Sequence, residues 1–194
     1  CRIFVLSILI KNLKLNEMEK KIIAVIGATG SQGKGVIDSI LKNGTFKARA
    51  VTRNPENYTG KADEVVKGDL KDLASLTEAF KNAHGVFVVT NFWEGADEIA
   101  QGKIAIQAAK DAGINHFIWS TLPNVEKISN GKFDVPHFTG KAKVDELVKK
   151  AGFKYYTFVQ PPFYYQNFSS PLFPLTSFCT SISHSSRFPF FISL

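Results

Sequence analysis

From Lys20 onward the sequence alternates between short apolar runs and longer amphipathic segments, and this alternation constrains the fold more than any other feature. The apolar runs predict six strands: KIIAVIG, FKARAVTR, ADEVVKGD, GVFVVTN, NHFIWST and KYYTFVQP. The amphipathic segments predict helices: GKGVIDSILKNG, DLASLTEAFKNA, ADEIAQGKIAIQAAKDAG and HFTGKAKVDELVKKAG. Strands joined through helices form right-handed crossovers and a parallel sheet covered on both faces. We therefore expect an α/β fold, a three-layer, doubly wound Rossmann domain with strand order 3-2-1-4-5-6.

The loop after the first predicted strand, VIGATGSQGKG, is rich in glycine. It matches G-x-x-G-x-x-G at Gly27, Gly30 and Gly33, a form of dinucleotide-binding loop. A triphosphate loop is excluded, because it needs glycine where Ala28 stands and a hydroxyl where Gly35 stands. We expect the first glycine to turn the chain, the second to admit a pyrophosphate and the third to let the helix pack on the sheet. The other expected cofactor contacts in this loop are Ala28, Thr29, Ser31 and Gln32.

The end of the second strand, AVTRNPEN, indicates which dinucleotide is bound. An NAD site places a carboxylate about 20 residues beyond the glycine loop, on the ribose 2′-hydroxyl. Here Arg53 occupies that neighbourhood and no carboxylate precedes Glu56. A guanidinium pairs well with a 2′-phosphate, so the sequence predicts NADP(H) rather than NAD(H). The alternative is an ordinary exposed arginine; the neighbouring expected contacts are Asn54 and Asn57.

Polar residues also follow the third and fourth strands. Asp69 is expected either at the adenine edge or as the N-cap of the next helix, a position that Asp72 could fill equally well. Thr90 and Asn91 end the fourth strand, beside the expected nicotinamide half of the cofactor. Two aromatic residues come next and either wall a pocket or cap the sheet: Phe92 and Trp93.

Composition argues against several classes of function. The chain has a formal net charge of +7, but its lysines are scattered, with no basic block interleaved with aromatic residues. We therefore expect no direct nucleic-acid binding. Both cysteines, Cys1 and Cys179, lie in the flanks, and the four histidines lack metal-ligand spacing. We expect neither a disulfide framework nor a metal site, and a reducing, cytoplasmic setting.

The two ends differ from the rest of the chain. Residues 1–19 include an apolar stretch too short to span a membrane and the only methionine, Met18. We expect a non-native or disordered lead, with translated upstream sequence before Met18; a membrane anchor is the alternative. Residues 169–194 mix Ser, Pro and Phe without a period, and we expect a disordered or non-native tail on a C-terminally truncated chain. The predicted NAD(P)-binding domain is 20–168.

Together the quoted motifs, with PPFYYQN, resemble the NmrA-like family of atypical short-chain dehydrogenases, most closely its NADPH-sensor proteins. The resemblance covers Lys20 to about Asn167. It implies that NADP(H) lies over the glycine loop, that Arg53 holds the 2′-phosphate and that Lys141 and the VTN turn border the nicotinamide. It also implies that PPFYYQN closes over the cofactor, with contacts from Pro162, Tyr164 and Tyr165.

Short-chain dehydrogenases use a Tyr-x-x-x-Lys pair, with the tyrosine as proton donor. This chain has His137 in the place of the tyrosine and keeps the lysine as Lys141. His137 is a candidate proton donor because imidazole titrates near neutrality, although a structural role in the first helical turn is favoured. Thr121 or Ser120 is the candidate for a polarising hydroxyl.

The resemblance implies two functions, because the family includes redox-responsive regulators and quinone or enone reductases. The leading interpretation is an NADP(H)-binding redox sensor that acts through NADPH-dependent protein interaction. It would be a monomer or homodimer in the cytoplasm, with the nucleus as a further candidate location. The alternative is an NADPH-dependent oxidoreductase of quinones or related carbonyls. A truncated chain that binds cofactor poorly is the third interpretation.

Overall fold

The computed structural model describes residues 20–95, 97–162 and 164. A six-stranded parallel sheet in the order β3-β2-β1-β4-β5-β6 confirms the predicted fold and strand order. The strands are β1 (Ile22–Ile26), β2 (Lys47–Thr52), β3 (Glu64–Lys67), β4 (Gly85–Val88), β5 (His116–Ser120) and β6 (Tyr155–Val159). The helices are α1 (Ser31–Asn43), α2 (Leu73–Phe80), α3 (Glu98–Asp111), α4 (Val125–Ile128) and α5 (Pro136–Lys150), with 3-10 turns at Pro55–Asn57 and Phe92–Glu94.

The chain divides into two units, Cys1–Gln160 and Pro161–Leu194. All the named strands and helices belong to the first unit. The predicted lead, 1–19, and the predicted tail, 169–194, lie outside the described residues. None of the helices in the described part of the chain is long and apolar enough to cross a membrane.

The helices differ locally from the sequence-based expectation. Helix α1 begins at Ser31, two residues before the predicted segment, because it starts directly from Gly30 of the glycine loop. The loop predicted between Pro123 and Pro136 contains the short helix α4, and the Asn124 side chain caps it by accepting from the backbone N–H of Lys127 at 2.9 Å. Both differences change local boundaries and leave the topology as predicted.

Apolar side chains pack on both faces of the sheet, as expected where helices cover a parallel sheet on each side. One layer lies beneath α2, α3 and α5 and contains the fully buried rings of Phe80, Phe117 and Trp119. The other lies beneath α1 and contains Ile37 and Phe87. Every residue of β4 is buried, so the middle of the sheet is a rigid base for the loops at its edges.

A buried arginine ties β2 to β3 and α2. The Arg49 Nε donates to Glu64 Oε2 at 2.6 Å, and Nη1 donates to the backbone carbonyls of Ala79 at 3.0 Å and Lys81 at 2.7 Å. Those carbonyls lie at the end of α2, where a helix leaves its last acceptors without intrahelical partners. Arg49 therefore has a structural role and fixes one half of the sheet to its covering helix.

Candidate functional site

The connections leave β1 and β4 in opposite directions, so a crevice opens between the loops that follow these two neighbouring strands. Such a switch point at the carboxyl ends of the strands is where open α/β sheets bind ligands. The two loops approach closely: a Cβ built on Gly27 would lie 2.7 Å from Cγ1 of Val89. The loop after β1 and the loop after β4 therefore form the two walls of one site.

The glycine loop needs glycine at two of its three positions for reasons visible in the backbone. Gly27 has φ +71°, in the left-handed region that favours glycine. A Cβ on Gly33 would lie 2.1 Å from the carbonyl oxygen of Gly27, so no other residue fits there. A Cβ on Gly30 would meet only that same oxygen, at 3.4 Å, and Gly30 is exposed. The loop backbone therefore packs closely against Gly33, whereas the space next to Gly30 is accessible to a ligand.

The start of α1 is a suitable anion cradle. Its N-cap residue, Gly30, supplies no side-chain cap, and the first turn contains no acidic residue. The first N–H groups of a helix lack intrahelical partners and lie at the positive end of its dipole, which favours a phosphate. Thr29 and Ser31 expose their hydroxyls beside these groups, whereas Ala28 is buried and offers only its backbone.

A hydrogen bond joins the start of α1 to the end of β5. The Ser120 hydroxyl donates to Gln32 Oε1 at 2.8 Å, and Ser120 is buried. Gln32, predicted as a cofactor contact, is therefore held in place by one of the two candidate hydroxyls. The other candidate, Thr121, is fully buried, and its hydroxyl donates to the carbonyl of Leu122 at 3.4 Å. Burial raises the pKa of Asp145.

The most strongly connected part of the site is a buried ion pair. Lys141 Nζ lies 2.8 Å from Glu98 Oε1 and donates to Thr90 at 3.0 Å (carbonyl) and 2.6 Å (hydroxyl). The Thr90 hydroxyl in turn donates to Glu98 Oε1 at 2.7 Å. These contacts account for the three protons of the Lys141 ammonium group. The structure thus confines the predicted Lys141 and Thr90 to one network.

Burial lowers the pKa of Lys141, while the hydrogen bond and the charge of Glu98 oppose that shift. The Glu98 side chain is only 3% exposed, and its Oε2 has no hydrogen-bond partner among the described residues. Sequence reasoning missed Glu98. The helix dipole favours a carboxylate in the first turn of a helix whether that position is exposed or buried. The position of Glu98 at a helix start therefore gave no sign that its side chain is buried.

His137 lies one helical turn before Lys141, in an aromatic cluster formed by Phe92, Trp93, His137 and Phe138. Its ring centroid is 5.6 Å from that of Phe92, 5.4 Å from that of Trp93 and 4.9 Å from that of Phe138. The Asn91 side chain accepts from the backbone N–H of Trp93 at 3.2 Å and so fixes the turn. Trp93 remains 78% exposed, so the cluster presents a broad aromatic surface beside the loop after β4.

Arg53 follows β2 directly, at the same edge of the sheet as the glycine loop, and is exposed. Asn54 precedes the 3-10 turn of Pro55–Asn57, and Asn57 ends that turn. All three polar side chains are exposed there. The structure therefore places these predicted contacts together at the carboxyl end of β2.

Asp69 does not cap α2. The Asp72 side chain accepts from the N–H groups of Ala74 and Ser75, so Asp72 is the N-cap and the capping interpretation of Asp69 is wrong. Asp69 is half-buried and accepts from the backbone N–H of Lys71 at 2.9 Å. Of the remaining predicted contacts, Pro162 and Tyr164 belong to the second unit, and Tyr165 lies outside the described residues.

The parallel sheet, its switch point and the glycine loop with an open helix start define a Rossmann domain of the dinucleotide-binding type. Comparison with known families gives the particular family. The model of the NmrA-like family matches residues 19–188. This chain belongs to the NmrA-like family, as the motifs predicted.

Three relatives illustrate the range of this similarity. FrzB of Cladobotryum sp, named an NmrA-like family domain-containing oxidoreductase, is 34% identical over 160 residues, which are 76% of this chain and 48% of FrzB. NmrA, a negative transcriptional regulator in complex with NADP, is 29% identical with a TM-score of 0.62, over 74% of this chain and 45% of NmrA. Triphenylmethane reductase of Citrobacter sp. is 26% identical with a TM-score of 0.63, over 75% and 50% of the two chains. The chain thus spans about half the length of these relatives.

Replacing Gly33 with alanine is expected to destabilise the protein, because the added methyl group would overlap the Gly27 carbonyl. Overpacking of this kind costs about 1–3 kcal/mol. The matched control is Gly35→Ala, two residues along the same helix, where a Cβ would meet nothing within 4 Å. That change should stabilise the helix by about 0.5–1 kcal/mol. Urea unfolding of both variants measures the difference; equal effects would contradict the close contact.

The Glu98→Gln variant is expected to lower the pKa of Lys141 further. Glu98 raises that pKa through its charge and its hydrogen bond, whereas burial lowers it, so removing the charge leaves burial less opposed. An NMR titration of the lysine side-chain signals measures the pKa. Glu126→Gln is the control, because Glu126 pairs with Lys143 at 3.7 Å on the surface. An unchanged or raised Lys141 pKa in Glu98→Gln would contradict the pairing.

Proposed function

We propose that this chain binds NADP(H) in the crevice between the loops after β1 and β4. The observation that carries the proposal is the cradle itself: Gly33 packs against Gly27, and α1 begins with N–H groups that no side chain caps. These groups would hold the pyrophosphate, with the exposed hydroxyls of Thr29 and Ser31 beside them. The complex of the related NmrA with NADP supports the same cofactor here.

The preference for NADP(H) over NAD(H) would depend on Arg53. This arginine follows β2 at the carboxyl edge, and its exposed position suits a ligand that arrives from solvent. A planar guanidinium forms paired, charge-assisted hydrogen bonds to the oxygens of a phosphate. A ribose hydroxyl offers it only one uncharged acceptor. Asn54 and Asn57 would add neutral contacts to the same phosphate.

We propose a redox-sensing role as the first function. Bound nicotinamide would supply hydride chemistry, but a reductase also needs a group that delivers a proton to its substrate. Lys141 already directs its protons at Thr90 and Glu98, and His137 stands where the catalytic tyrosine would be, packed among aromatic rings. The chain would then respond to the NADPH/NADP+ ratio through association with another protein, in the cytoplasm and the nucleus, as a monomer or homodimer.

A reductase of quinones or related carbonyls is the second candidate. The observation that favours it is the aromatic cluster, whose Trp93 is 78% exposed beside the loop after β4. A flat conjugated substrate would stack on such a ring next to the nicotinamide. The oxidoreductase name of FrzB and the similarity to the reductase of Citrobacter sp. support this candidate as well as the similarity to the regulator NmrA supports the sensor role.

Arg53→Ala is expected to weaken NADPH binding by about 10–100-fold, the loss of one or two charge-assisted hydrogen bonds. Its affinity for NADH should change little, because NADH lacks the 2′-phosphate. Quenching of the Trp93 and Trp119 fluorescence during paired titrations with both cofactors measures the preference. Lys103→Ala, an exposed cation on α3, is the control. Equal losses for the two cofactors would contradict the assignment of Arg53, and absence of binding in the wild type would contradict the cofactor proposal.

The sensor role predicts no substrate-dependent oxidation of NADPH across a panel of quinones and enones. A reductase predicts turnover that depends on Lys141. Lys141→Ala alone would leave the Glu98 carboxylate buried without its partner, so misfolding would imitate loss of activity. The double variant Lys141→Met/Glu98→Gln avoids that charge, and Glu98→Gln alone is its control. Turnover that only the double variant abolishes would establish the reductase and overturn the sensor role.

A further inference from the structure

The amino-terminal edge of the sheet, opposite the cofactor crevice, collects basic residues from five neighbouring strands. In spatial order these strands are β2, β1, β4, β5 and β6, and each begins with or follows a lysine or histidine. We call this row the basic edge; its members are Lys47, Lys20, Lys21, His84, His116 and Lys154. They are spread over the sequence from residue 20 to residue 154, so only the fold brings them together.

Backbone hydrogen bonds show that the members of the row are neighbours. The N–H of Lys47 donates to the carbonyl of Lys21 at 3.0 Å, and the N–H of His116 donates to that of His84 at 3.2 Å. His84 N–H donates to Ile22 at 2.8 Å, and Tyr155 N–H to Asn115 at 3.0 Å, which places the starts of β4 and β6 beside β1 and β5. Adjacent strands lie about 4.8 Å apart, so the row is about 19 Å long.

Within the described part of the chain no member of this row forms an ion pair, and the Asp63 carboxylate, near Lys47, accepts from the backbone N–H of Ala48 at 2.7 Å. The ion pairs recorded there involve Arg49, Lys81, Lys141, Lys143 and Lys149, none of which belongs to the basic edge. Burial lowers the pKa of His84, and the charges of Lys21, His116 and Lys154 lower it further, with no acid acting in the other direction. Burial also lowers the pKa of His116. Because both imidazoles have a lowered pKa, the four lysines carry the charge of the row at neutral pH; they repel one another, and an anion along the edge would relieve that repulsion.

Stabilisation of helix dipoles explains the row only at Lys20, whose Nζ lies 4.0 Å from a Cβ built on Gly44, the C-cap of α1. Lysines in the last turns of helices, such as Lys42 in α1 and Lys110 in α3, offset the partial negative charge at those ends. The members of the basic edge instead stand at the starts of strands, and a sheet has only a small net dipole. Their shared position is thus more consistent with an interaction surface than with local helix stabilisation.

We propose that the basic edge binds an acidic segment of a partner protein in an extended conformation. A row of about 19 Å accommodates about six residues of extended chain, whose carboxylates would pair with the lysines of the row. Lysine and imidazole groups alone form the row, without the arginine forks that suit phosphates. The Phe46 ring is half-buried and stacked on His84 at 6.5 Å, and the exposed Tyr155 lies only at the β6 end of the row, 6.1 Å from the His116 ring. Exposed rings therefore do not continue along the row as the series on which successive nucleic-acid bases stack.

This surface goes beyond the cofactor site, because it lies at the other edge of the sheet and needs no cofactor to be charged. The test uses a fluorescein-labelled decapeptide of aspartate and glutamate and measures its anisotropy with the full chain at low and moderate salt. The edge variant is Lys20→Glu/Lys21→Glu/Lys154→Glu, in which all three side chains are exposed. The control is Lys103→Glu/Lys127→Glu/Lys132→Glu, which changes the formal charge equally at exposed positions away from the edge.

We expect the edge variant to weaken peptide binding about tenfold or more and the control to change it about twofold or less. Thermal unfolding checks that both variants fold, and Lys21→Gln/Lys154→Gln replaces the triple variant if charge reversal prevents folding. Equal weakening by the control would overturn the proposal, because net charge alone would then explain binding. Tighter binding of a single-stranded oligonucleotide of equal charge, lost in the same edge variant, would also overturn it, as would absence of peptide binding by the wild type.

Discussion

The carboxyl edge of this domain depends on the buried pair of Lys141 and Glu98. Thr90 after β4, Glu98 at the start of α3 and Lys141 in α5 meet within hydrogen-bond distance, so three elements are fixed by one network. Burying two charges is costly unless they find each other and further hydrogen-bond partners, and Thr90 provides these through its carbonyl and its hydroxyl. This network fixes the start of the loop after β4 at Thr90, and the exposed aromatic cluster follows a few residues later.

The architecture could be predicted because the hydrophobic pattern of neighbouring residues indicates each strand and helix. Apolar runs and amphipathic segments alternate, and short right-handed crossovers leave few topologies, so the strand order follows. The roles of Gly27 and Gly33 could be predicted for the same reason: the turn and the close packing are properties of neighbouring residues. Helix ends were less accurate, because the Asn124 cap and the choice between Asp69 and Asp72 depend on which side chain reaches a free N–H group.

Features that depend on distant residues could not be predicted. Gln32 and Ser120 are 88 positions apart, and nothing near either one shows that their side chains meet. Glu98 has the sequence context of an exposed acid at a helix start, yet packing against α5 buries it. Scattered lysines gave no sign of a basic surface either, since the row becomes continuous only when the sheet order places β1 between β2 and β4.

Two buried cations brace the two halves of the sheet separately. Arg49 binds β2 to β3 and α2, whereas Lys141 binds the end of β4 to α3 and α5. The cofactor crevice opens along the seam between these halves, and there the Gln32–Ser120 hydrogen bond crosses without charge. Neither ionic network crosses this seam, so the two halves are joined there by the ladder between β1 and β4, by apolar packing and by this hydrogen bond. A dinucleotide bound across the crevice would add a charged link between the two halves.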